Sequence, residues 1–83
     1  MNTLDAVLKN MDEILGLPRD EMEENLDKDL LEEGLVDSLS IVELLSCLES
    51  DLGVKIPITK LEPKDISTVN RLVSAIERVS EHR

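Results

Sequence analysis

Three aliphatic stripes, each with the spacing of a helix face and each closed by a helix-ending residue, set what this chain can fold into. In the first, Leu4, Val7, Leu8, Met11, Ile14 and Leu15 recur at intervals of three and four, which places them on one face of a 3.6-residue period. Asn2 or Thr3 suits the cap. Gly16 and Pro18 end the run, because glycine fits a C-terminal cap and proline cannot extend the hydrogen-bond ladder. The spacing predicts a helix over about residues 3–15. The second stripe, Ile41, Leu44, Leu45, Leu48 and Leu52, follows Asp37, whose carboxylate suits an N-cap and the positive end of the helix dipole. With Gly53 as the stop, it predicts a helix over about residues 38–52. The third, Val69, Leu72, Val73, Ile76 and Val79, predicts a helix from Thr68 to about Ser80, capped by Ser67 or Thr68.

The connections are uneven. Residues 17–37 are mostly acidic, yet Leu17, Met22, Leu26, Leu30 and Leu31 recur within them. A connection of this length is unusual in a compact domain unless it packs or works, so its leucines are expected to cross the bundle, with a helical turn at Leu30-Leu31-Glu32 closed by Gly34. Val54-Lys55-Ile56-Pro57-Ile58 alternates like a strand but is short and carries Pro57. It is expected to be an extended link burying Ile56 and Ile58. Thr59 to Ile66 suits a short helix with Pro63 in its first turn. Glu81-His82-Arg83 is expected to fray. The sum is an all-α fold: a bundle of four helices, three main and one short, with a long first loop, in one domain over residues 1–83.

Composition narrows the function. Nineteen acids face nine bases, a formal net charge of -10, and there is no Phe, Tyr or Trp. Such a surface repels phosphate backbones and offers no aromatic platform for bases, which argues against nucleic acid. It favours partners with basic surfaces. Cys47 is the sole cysteine, so an internal disulfide or a zinc cluster is excluded, and its mid-helix place among aliphatics reads as packing. No basic-then-apolar leader and no apolar run near 20 residues is present. A soluble, cytoplasmic monomer without a membrane span is expected.

One serine stands out. Ser38 lies where the turn Glu33-Gly34-Leu35-Val36 meets the helix start at Asp37. A nucleophilic serine needs a base within hydrogen-bond reach, and the single histidine, His82, lies near the other end of the chain. No glycine-rich phosphate loop exists. Asp27-Lys28-Asp29 begins like a calcium loop, but the fifth, sixth and twelfth positions are Leu31, Glu32 and Ser38, which fail the ligand pattern. The residues therefore suggest neither a catalytic serine nor a metal site.

Residues 34–57 resemble the acyl carrier protein family. The likeness rests on Gly34-Leu35-Val36-Asp37-Ser38-Leu39, then Val42-Glu43-Leu44, Leu48-Glu49 and Ile56-Pro57, with Ser67-Thr68-Val69 opening the last helix. Helix order, loop placement and acidity extend it over nearly the whole chain. The resemblance implies that Ser38 carries 4′-phosphopantetheine, transferred from coenzyme A by a holo-synthase as a phosphodiester. It implies a non-catalytic shuttle that bears acyl groups as thioesters on the arm. It also implies a partner-binding face on the second helix: Asp37 beside the attachment point, Leu39 and Val42 as the apolar centre, and Glu43 and Glu49 meeting basic residues of acyl-processing enzymes.

The cargo stays open. Fatty-acid carriers commonly have an acid where this chain has Ser40, a methionine at Ser46 and a second acid at Ser50. Glu33 through Ser38 also resembles the D-alanyl and other aminoacyl or peptidyl carriers, which an adenylating ligase loads. A carrier for fatty-acid, polyketide or specialised lipid synthesis is the leading expectation, and an aminoacyl carrier its alternative. An unmodified acidic helical adaptor is the reading from a different class.

Overall fold

The computed structural model describes residues 2–82, and in it the three expected helices form within a residue or so of their predicted bounds. Helix α1 is Thr3–Leu15, α3 is Ser38–Leu52 and α4 is Val69–Val79; in sequence between the first two, residues Arg19–Glu24 form the short helix α2. Each main helix is capped as its sequence suggests. Asn2 accepts the Asp5 amide, Asp37 that of Ser40 and Thr68 that of Arg71, satisfying donors that a helix start leaves free. At the other ends, Gly16 and Gly53 take left-handed backbone angles, φ 68° and 65°, a region where a Cβ is disfavoured.

The apolar stripes meet in one core. α1 packs on both α3 and α4. Leu8, Met11, Leu44, Leu48, Leu72 and Ile76 are fully buried or nearly so, and burying each such side chain is worth about 1.5–3 kcal/mol. Asn10, Asp65 and Thr68 are the buried polar residues among those described, and Asn10 is satisfied. Its amide donates to the Ala6 carbonyl and to Asp51 Oδ2, both at 2.8 Å, fastening α1 to the end of α3.

The long first connection packs rather than waves free. Met22, Leu30 and Val36 are buried. Leu30 N–H donates to the Ser67 carbonyl at 2.7 Å and Asn70 N–H to that of Leu26 at 3.0 Å, so the connection is bound to the start of α4. The expected turn at residues 30–34 is present: the Leu35 amide reaches back to the Leu30 carbonyl, and Gly34 has φ 70°. The calcium-like acids hold this geometry instead. Asp29 accepts the Glu32 amide and Asp27 the Asn70 side chain, and among the described residues no His, Cys, Asp and Glu cluster could hold a metal ion.

Three expectations need correction. The first connection is not wholly a loop but holds an unexpected short α-helix, α2, while residues 58–66 hold two short 3-10 helices, Ile58–Lys60 and Pro63–Ile66, the second with Pro63 in its first turn as expected. A charged six-residue segment with only Met22 buried carries no stripe to announce it. Ile58 is not buried but 46% exposed, because the turn after Pro57 breaks the strand-like alternation that keeps Ile56 inside. Finally, Glu81 and His82 do not fray. As strand β2 they pair antiparallel with β1, Val54–Lys55, while Arg83 lies outside the described residues.

Candidate functional site

Ser38 is the first residue of α3 and is exposed. The division of labour at this helix start explains why. Asp37 has extended backbone (φ -136°, ψ 179°), and its Oδ1 accepts the Ser40 amide at 2.8 Å. Its carboxyl is held below the usual carboxylate range by the Ser40 amide, then by the Ser40 hydroxyl. The cap is thus supplied by the residue before the serine, and the Ser38 hydroxyl is left over for other chemistry. The first turn of α3 itself contains no acid, so a phosphate group joined to Ser38 would face the positive end of the dipole.

Around the serine lies an apolar rim. Leu39 is 82% exposed and Val42 51% exposed, far more than isolated aliphatics in a helix of this core need to be. A cavity of about 320 Å³ opens beside Ser38, lined among others by Val42, Leu45, Ile58, Leu61 and Glu62. A wider depression near the start of α4, about 770 Å³, is lined by charged groups including Asp29, Glu32, Lys64 and Arg71 and does not reach the serine. Of these two, the smaller cavity joins the exposed Ser38 oxygen to an apolar wall.

The residues expected to bind partners divide. Asp37, Leu39, Val42 and Glu43 are all exposed near Ser38. Glu49 is not free in the same way. It is half-buried, and its Oε2 accepts the Ile56 amide at 2.6 Å. Sequence reasoning missed Ile58, now part of the rim. The polar Thr59-Lys60 pair behind Pro57 was the available sign of a surface turn.

The model for phosphopantetheine attachment sites matches residues 5–76 of this chain. The chain belongs to that family. Its members are carrier domains that hold 4′-phosphopantetheine covalently. Among relatives, a D-alanyl carrier protein of Enterococcus faecalis is 35% identical over 93% of this chain and 96% of its own length. One of Lacticaseibacillus rhamnosus is 37% identical over 71% of this chain and 73% of its own, and one of Streptococcus pyogenes is 37% identical over 72% and 76%. These relatives favour the aminoacyl alternative over the fatty-acid reading. Among the described residues, no helix is long and apolar enough to cross a membrane.

The phosphopantetheine arm fits the residues present. The hydroxyl is exposed at a helix N-terminus whose capping is already done, and the adjacent wall is apolar.

Proposed function

We propose that this chain is a single carrier domain over residues 1–83 that bears 4′-phosphopantetheine on Ser38 and carries an amino acid of the D-alanyl type. The observation that carries the attachment site is the spare Ser38 hydroxyl beside a cap made by Asp37. The Ser38 oxygen attacks the pyrophosphate of coenzyme A on a holo-synthase. A phosphodiester forms, the P–O–P bridge breaks, the adenosine bisphosphate half leaves, and the hydroxyl proton passes to a base on the synthase or to water. When bound, the arm supplies a terminal thiol, a better leaving group for an acyl cargo than the serine oxygen.

The rest of the chain holds that oxygen still and presents it. Asp37 fixes the helix start, α3 anchors it to the core, and Leu39, Val42 and Glu43 offer an apolar centre with an acidic edge to a basic partner face. The chain acts as the substrate of its partners, a holo-synthase and an adenylating ligase, and contributes no catalytic group. The likeness to D-alanyl carriers over 93% of the chain supports the cargo class.

Co-expression with a broad-range holo-synthase, followed by intact mass, tests the site. One arm's mass is expected on the native chain and none on Ser38→Ala; a gain that survives the substitution sinks the assignment. Incubating the holo form with a D-alanine-activating ligase and ATP, beside a fatty-acyl ligase, tests the cargo. Alanine hydroxamate, released by hydroxylamine with the free thiol of the arm, is the expected product. Fatty-acyl loading alone would overturn the aminoacyl reading.

A further inference from the structure

The segment after α3 forms one wall of the cavity beside Ser38, contributing Ile58 and Leu61. Its position is not set by burial alone. Ile56 is buried, but Pro57 has no amide, the turn Ile58–Lys60 is exposed, and β1 holds only two residues to β2. The shortest side-chain hydrogen bond in this region is the 2.6 Å contact from Ile56 N–H to Glu49 Oε2. It joins the last turn of α3 to the residue two positions before Ile58. A carboxylate accepting a backbone amide in a half-buried place is a strong, directional link.

We infer that Glu49 is a positioning residue: it acts through the Ile56 amide to fix where Ile58 stands against Val42 and Ser38, and partners do not read its charge directly. This assignment rests on Ser38 being the attachment point. It separates the two glutamates of α3, which look alike in sequence. Glu43 is exposed and presents charge, while Glu49 sets the register between helix and wall.

Two substitutions separate the roles. Glu49→Gln removes the charge but keeps an oxygen that accepts; Glu49→Ala removes both. For Glu49→Ala, the Ile56 amide should lose at least about tenfold of its protection against hydrogen exchange, the scale for a hydrogen bond to a charged group. The Ile58 methyl resonances should shift as well. The KM of a holo-synthase for the apo chain should rise several-fold with kcat little changed. Glu49→Gln should stay near the native chain in all three, at low and high salt. Glu49→Met keeps the aliphatic stem without the acceptor and replaces Glu49→Ala should that variant lose helicity. Equal KM increases for Gln and Ala that vanish at high salt, with the Ile56 amide still protected, would overturn the inference in favour of direct charge reading. An unchanged amide and KM in both Ala and Met would overturn it too. If the native chain takes no arm, the attachment reading fails, while the exchange and methyl measurements still decide the role of Glu49.

Discussion

At the scale of single residues, the site depends on a separation of duties between Asp37 and Ser38. Capping residues are usually the ones with oxygen atoms to spare, and a serine at a helix start would ordinarily be consumed by that task. Here the Asp37 carboxylate takes it, and the serine one step inside the helix keeps its hydroxyl. Ser38→Ala should therefore leave the helix intact, since alanine is a good helix former, so loss of modification in that variant reports chemistry and not unfolding. Asp37 carries a pH signature. Its folded pKa is lowered by the Ser40 amide and hydroxyl, so its contribution to stability is fully present above the ordinary carboxylate range. That contribution is lost as pH falls through the lower, folded value. Asp37→Asn keeps an acceptor without a titrating charge. The melting midpoint of the native chain should exceed that of Asp37→Asn near pH 7, and the gap should close on acidification to about pH 2–3. A gap that widens in acid would contradict the cap assigned to the ionised carboxylate.

At the scale of elements, α3 is a helix with two employments. Its inner stripe, Ile41, Leu44, Leu45 and Leu48, is buried, while Leu39, Val42 and Glu43 stand outside near Ser38. An exposed acid on the rim of a contact acts mainly on the association rate. Glu43→Lys should lower kcat/KM for a holo-synthase by about three- to thirtyfold at low salt, with an unchanged helical circular-dichroism signal. An undiminished rate at low salt would remove Glu43 from the docking face. This helix was legible in the sequence because Asp37, the stripe and Gly53 agree on its bounds, as Asn2 and Gly16 do for α1. Elements lacking that agreement were not. α2 is too short and too charged to show a period, and although alternation over 54–58 marks β1 as extended, its two-residue partner β2 has no signature at all. The same limit divides the site. Ser38 and its cap are local in sequence and could be read, but the link from Glu49 to Ile56 depends on the path taken by the chain beyond Gly53. Ile58 likewise owes its exposure to a turn that alternation of apolar residues does not foretell.

At the scale of the whole molecule, a net charge of -10 sits in an envelope of 32 × 24 × 19 Å. Mutual repulsion of like charges works against a compact state, even as the same field draws in basic partners. The solvent-accessible ion pairs, such as Arg19 with Asp5 and Glu23 or Lys28 with Glu33, each offset little of it, because water screens them. Nineteen acids against nine bases mean that repulsive pairs outnumber attractive ones, so screening should help the fold more than it harms it. The Debye length is about 10 Å at 0.1 M salt, shorter than every dimension of the molecule, so monovalent salt near that concentration already separates acids on different faces. One salt series should therefore move two measurements in opposite directions. The thermal midpoint should rise, by about 4–8 °C for each kcal/mol of repulsion relieved in a domain of this size. Over the same series, kcat/KM with a holo-synthase should fall, because the field that steers the encounter is screened. The rate loss could not then be ascribed to a weakened fold, since the fold would be gaining stability as the rate declined. If midpoint and rate fell together, the acidic surface would be serving its ion pairs more than its partners, and electrostatic steering would lose its main support.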